Sequence, residues 1–179
     1  MPITPDTKDW TWVLDRVCPE CGYDVRNFER SEMGAMVRAN ARAWAQVLSE
    51  GEDLRLRPSE DVWSPLEYAC HVRDVFALYD QRLALILEQD DPEFPNWDQD
   101  ATAIAARYRD QDPASVSTEL RQHAEALATG FERVTGAMWE RTGRRSDGAS
   151  FTVETFARYL IHDPIHHLHD VGEPVPPRA

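Results

Sequence analysis

The chain has 179 residues, and its 32 acidic against 19 basic side chains give a formal net charge of −13. That length suits one domain able to bury a core without disulfides, and so acidic a chain cannot neutralise a phosphate backbone, which sets nucleic acid and anionic membranes aside as partners. No run of about 18 apolar residues exists and the first ten positions lack the basic and apolar regions of a secretory signal, so a cytoplasmic protein is expected.

Residues 1–28 read as an irregular N-terminal arm. Trp10, Trp12 and Leu14 make it too apolar to hang free, so it should pack on the body. Cys18-Pro-Glu-Cys21-Gly22 looks like half of a zinc knuckle. Tetrahedral zinc needs four donors, so a second pair would come from histidines, Cys70 or another chain; an empty reduced turn and a redox pair are the alternatives.

Four long amphipathic helices follow. The first is expected over 31–48, with Met33, Val37, Ala41, Trp44 and Leu48 on one face. Ser64-Pro65-Leu66-Glu67 predicts the start of the second, with Ser64 as N-cap, Pro65 at the first helical position and Glu67 closing a capping box. This helix should reach about Leu87 and carries His71. An acidic, proline-punctuated loop over 90–100 precedes a short helix, and its Trp97 either plugs the bundle end or roofs a pocket. The third long helix starts at Asp112-Pro113 and runs to about Thr135 or Gly136, with His123 at its surface or edge. Residues 138–150 read as a basic connection, and Thr152 caps the last helix. The fold class is all-α: an antiparallel four-helix bundle over 29–173, with a tail from 174 to 179.

The last helix holds four of the six histidines, in Ile161-His-Asp-Pro-Ile-His-His-Leu-His-Asp170. His162 and His166, four apart, project from one face and can grip one ion together. A catalytic zinc site normally takes three protein ligands, and His71 is the natural third. The competing reading is a solvated polar face near a helix C-terminus. A His-Glu-x-x-His protease helix is excluded, because no glutamate lies between the histidines.

Trp63-Ser-Pro-Leu-Glu-Tyr-Ala-Cys-His71 followed by His162-Asp-Pro-Ile-His-His167 resembles the DinB-like superfamily of metal-binding four-helix bundles over roughly residues 30–172. The arm with its Cys-Pro-Glu-Cys-Gly further resembles an actinobacterial subgroup. The resemblance implies a divalent ion, zinc or nickel, on His71, His162 and His166. Relatives include mycothiol-dependent maleylpyruvate isomerase and bacillithiol S-transferases. They imply a metal-dependent transferase or isomerase whose partners are a small-molecule thiol and an electrophile, with Arg144 and Arg145 holding an acidic group and a homodimer compatible with the family. The ligand set of the isomerase branch mixes histidine and glutamate, and this chain offers a histidine instead. Cys18 and Cys21 stand as candidates for a second, structural ion. The alternatives are a metal-dependent hydrolase, with Asp163, Glu67 or Asp74 handling protons, and a non-enzymatic metal-stabilised binding protein.

Overall fold

The computed structural model describes residues 10–174; the start of the arm, 1–9, and all but the first position of the expected tail, 175–179, lie outside the described residues. Five α-helices occur among those described: α1 (Met33–Glu50), α2 (Pro65–Glu88), α3 (Gln99–Ala105), α4 (Pro113–Glu132) and α5 (Val153–Asp170). The expected four-helix bundle is formed by α1, α2, α4 and α5, with α3 as the short helix after the acidic loop. No helix among the described residues is long and apolar enough to cross a membrane.

The helix starts follow from their caps. Ser64 Oγ accepts from the Glu67 backbone N–H at 3.3 Å while Glu67 Oε2 accepts from the Ser64 N–H at 2.9 Å, which satisfies two donors that a helix end would otherwise leave unpaired. Asp112 caps α4 through the Ser115 N–H, and Thr152 exchanges a reciprocal pair of bonds with Thr155 at the head of α5. Helix α4 ends at Glu132, short of the expected Thr135, and Gly136 takes a positive φ of 51° where the chain turns away.

Packing directions give the bundle its topology. Gly34 of α1 lies against Ala128 and Glu132 of α4 and Arg38 reaches Glu125, so these two helices run antiparallel. Arg73 binds Glu119 at 2.9 Å and Leu83 packs against Gly130, so α2 and α4 run the same way. His71 meets Asp163 and the Tyr79 ring meets Phe156, which makes α2 antiparallel to α5. The long connection from 89 to 112 is what lets two neighbouring helices run parallel. Between them Trp44, Leu66, Phe76, Leu83, Leu120, Leu127, Phe156 and Leu160 are buried, each such side chain contributing about 1.5–3 kcal/mol when removed from water.

The segment over 138–150, expected as a basic connection, contributes to a small three-stranded sheet in the order β1 (Glu93–Phe94), β2 (Thr142–Arg145) and β3 (Ser150–Thr152). Strand β1 pairs parallel to β2, and β2 pairs antiparallel to β3 with Gly143 opposite Phe151. Strands of two to four residues are too short to show a period of two in the sequence, which is why they escape it. The sheet sits tightly on α2: a Cβ on Gly143 would come within 2.7 Å of Ile86.

Candidate metal centres on helix α5

Helix α5 presents two donor stripes. Each residue advances about 100° around a helix, so 162/166 and 163/167 form adjacent i,i+4 pairs that face different neighbours. The 163/167 stripe faces α2. His71 Nε2 stands 3.1 Å from Asp163 Oδ2, and His167 Nε2 stands 3.6 Å from Asp163 Oδ1. Around one ion with bonds of about 2.1 Å, adjacent donors are roughly 3.0–3.4 Å apart, so this His71–Asp163–His167 group fits a single divalent cation. His167 is also oriented from behind: its Nδ1 lies 2.8 Å from Asp170 Oδ2, the carboxylate–imidazole arrangement that steadies metal-ligating histidines. Burial pushes the Asp163 carboxyl up, but the charges of His71 and His167 outweigh it and hold Asp163 well below the usual carboxylate range. For His167 burial opposes the charged form, yet Asp163 and Asp170 push its pKa up to about 9. Trp97 stacks on His71 with ring centroids 5.3 Å apart and planes 8° from parallel, and Trp63 lies against the same ring.

The 162/166 stripe faces the arm. Cys21 Sγ is 3.7 Å from His162 Nε2, and Cys18 Sγ is 3.7 Å from His166 Nδ1. All four side chains are buried and all three cysteines of the chain are free thiols. Burial, together with His166, pushes the His162 pKa down to about 4, and burial pushes the Cys21 thiol up to about 12. The expected set of His71, His162 and His166 is therefore not one group in the structure. His162 and His166 join Cys18 and Cys21, while His71 joins Asp163 and His167. The physical reason is the 100° step between stripes: His71 lies opposite the 163/167 stripe, and its partner there is the Asp163 carboxylate.

Both groups border a cavity of about 1040 Å³. Its walls come from the arm (Trp10, Leu14, Glu20), from α2 (His71, Tyr79, Arg82), from the loop with Trp97, and from the sheet with Arg145 and Phe151. The alternation of β2 separates the two expected arginines. Arg145 turns to the cavity, bound to Asp147 at 2.8 Å and to the Tyr159 hydroxyl at 3.3 Å, whereas Arg144 turns out to Asp91. Arg82 is only 6% exposed; it donates to the Pro95 carbonyl at 2.7 Å, and its Nε has no partner among the described residues. Burial lowers its pKa from the ordinary arginine value. Cys70 points into the core near Tyr108 and Gln111, and burial pushes it up to about 12. Of the expected proton handlers, Glu67 is bound to Arg57 and Asp74 to Arg73, so Asp163 alone reaches the donor group.

The DinB superfamily model matches residues 34–171, a span that begins in α1 and ends just past α5. The chain belongs to the DinB superfamily. A solved structure, YfiT from Bacillus subtilis, is similar with a TM-score of 0.72 over 80% of this chain and 84% of that one, at 16% identity. YfiT is described as a probable metal-dependent hydrolase with an unusual four-helix bundle topology. At that identity the likeness shows the DinB fold. No curated protein matches the chain. Within the DinB bundle, sequence reasoning missed Asp163 and His167 as donors and Arg82 as a cavity cation. Asp163 and His167 carry the same i,i+4 spacing as His162 and His166, and pairing histidine with histidine passed over it. Arg82 has no sequence signal that separates it from a surface arginine.

Proposed function

We propose that the protein is a metal-dependent transferase that joins a low-molecular-weight thiol, mycothiol in an actinobacterial setting, to an electrophile bearing an acidic group. The observation that carries this reading is one cavity holding the His71–Asp163–His167 group together with the buried cation Arg82 and the half-buried cation Arg145. A divalent first-row cation on that group, zinc or nickel among those suited to imidazole, supplies a Lewis acid that lowers the pKa of a thiol.

The chain's own residues supply the rest. Asp170 fixes the His167 tautomer so that Nε2 faces the site. Arg82 and Arg145 attract and orient a carboxylate, a charge-assisted interaction strengthened by partial exclusion of water. Trp97 and Trp63 shield the face of His71. In the transfer, the thiol sulfur forms a bond to the electrophilic carbon, the leaving group departs with the bonding pair, and the thiol proton passes to solvent. The size suits a cofactor-sized thiol beside a small substrate, since ligand cavities commonly span about 300–1,000 Å³.

Hydrolysis, the activity described as probable for YfiT, is the second reading. It needs a carboxylate ready to take a proton from water, and each carboxylate lining this cavity is already engaged. Asp163 meets His71 and His167, Asp98 caps α3, Asp147 binds Arg145, Asp170 binds His167, Glu20 faces His166, and Asp61 and Asp100 also have partners. That supports thiol transfer over hydrolysis. The test is the rate of bimane conjugate formation from monochlorobimane with metal-loaded protein and mycothiol, bacillithiol or glutathione. Metal-dependent acceleration with at least one thiol is expected, and none across several thiols and electrophiles would overturn the reading.

A further inference from the structure

The sulfur-bearing group on the arm side of α5 meets the cavity only through His162 and His166, while Cys18 and Cys21 lie behind its wall. Cys18 and Cys21 sit on a turn shaped by Gly22, whose φ of 73° lets the chain double back. The Gly22 N–H donates to the Cys18 carbonyl at 2.9 Å, and the Cys18 N–H donates to the Tyr23 carbonyl at 3.0 Å. Opposite them α5 presents His162 and His166 one turn apart. The four donor atoms lie within 4.8 Å of one another, with two S···N separations of 3.7 Å. Around a tetrahedral zinc ion, with Zn–S near 2.3 Å and Zn–N near 2.0–2.1 Å, adjacent sulfur and nitrogen donors stand about 3.6 Å apart.

Two further observations point the same way. His166 turns Nδ1 to Cys18 while its Nε2 faces Glu20 Oε2 at 3.4 Å and Asp170 Oδ1 at 3.7 Å, the carboxylate backing that orients ligating histidines. The four residues are only 0–8% exposed, so without an ion their polar atoms would face one another across long, weak contacts in a water-poor interior.

We infer that Cys18, Cys21, His162 and His166 bind a second, structural zinc-class ion that clamps the N-terminal arm onto α5. Two thiolates and two imidazoles complete a closed tetrahedral set with no position left for substrate. Trp10 lies with its ring centroid 5.1 Å from His166 and 5.8 Å from His162, and it lines the cavity with Leu14 and Glu20 from the same arm. The ion therefore fixes one cavity wall without touching the reactants. This inference stands whether or not the cavity catalyses thiol transfer.

The test begins with elemental analysis of untagged protein reconstituted with zinc. Wild type is expected to hold two ions per chain. Cys18→Ser/Cys21→Ser should lose one and keep the other, and His71→Ala should lose the other alone. Because the serine pair can misfold, wild-type protein loaded with cobalt(II) supplies a second readout. A thiolate-to-cobalt charge-transfer band in the near ultraviolet, strong tetrahedral bands in the visible and slowed alkylation of Cys18 and Cys21 are expected. No thiolate band, alkylation indifferent to metal, or a Cys18–Cys21 disulfide in fresh protein would overturn the inference. Failure of the cavity reading looks different: the cobalt–thiolate spectrum persists while the His71-dependent ion or the transferase rate is absent.

Discussion

The two stripes of α5 carry neighbouring residues with opposite fates. Asp163 and His167 meet His71 from within the bundle, and the Asp163 side chain stays 35% exposed at the cavity. His162 and His166 meet sulfur from outside the bundle, and none of the four residues there is more than 8% exposed. One group is harder and leaves room for a further ligand, while the other is softer and complete. A rotation of about 100° along one helix is enough to divide an open site from a closed one. Asp170 touches both, at 2.8 Å from His167 Nδ1 and 3.7 Å from His166 Nε2, so the two groups share a supporting carboxylate.

The contrast breaks most sharply at Asp163. Asp163→Asn keeps the shape but removes the one anionic donor from the cavity group. The loss in kcat/KM should be about 100-fold or more, since residues that merely orient ligands already cost 10–100-fold. The bound metal should fall by the cavity ion alone, with the cobalt–thiolate spectrum unchanged. If both signals fell together, the two stripes would form one unit.

The converse change acts on stability. Cys18→Ser/Cys21→Ser leaves the bundle core intact and releases only the arm. The cost should be a few kcal/mol, well short of the ~10–16 kcal/mol by which zinc holds peptides that have no other core. Chelator titration followed by melting temperature checks this. Wild type should lose stability in two steps, and the serine pair should lack the step belonging to the tighter, sulfur-bound ion.

How legible each group was in the sequence depends on how local its signal is. The capping box at Ser64 and Glu67, the apolar stripe from Met33 to Leu48 and the Thr152 cap are written within a few residues, and the bundle follows from them. His162 with His166 was legible for the same reason. The partner of that pair was not, because the i,i+4 rule states which residues share a face and never which neighbour the face meets. The assignment of His71 to Asp163 and His167 needed the angle between α2 and α5. Residues 142–152 show the other limit: register with Glu93 and Phe94 is set across about fifty residues of chain, and nothing local announces it.

A smaller effect separates recognition from chemistry inside the cavity. Arg82→Met keeps the aliphatic stem against Phe94 and removes the charge, whose guanidinium carbon lies 4.8 Å from the Phe94 ring centroid. KM for an acidic electrophile should rise about 10- to 100-fold, the range expected from losing one charge-assisted hydrogen bond of ~1.5–3 kcal/mol, while KM for a neutral one barely moves. Equal changes for both substrates would place Arg82 in the scaffold. Arg144→Met, on the outer side of β2, should change neither.

The smallest effect tests how the helix start positions His71. Ser64→Ala removes one half of the capping box and should cost about 1 kcal/mol, measured by denaturant titration. Glu67 carries the other half and also binds Arg57 Nε at 2.8 Å. Burial raises its pKa, but Arg57 and the Ser64 hydrogen bonds outweigh that and set it below the ordinary glutamate value. Its contribution is therefore fully present above the unfolded pKa of about 4.3 and disappears as the pH falls through the lower folded value. Glu67→Gln should narrow its stability gap to wild type over that acidic window. Because His71 lies one helical turn beyond Glu67, either variant should loosen the cavity ion slightly and leave the sulfur-bound ion untouched. A matching loss at the arm would mean that α2 supports both groups and that the division along α5 is not independent of it.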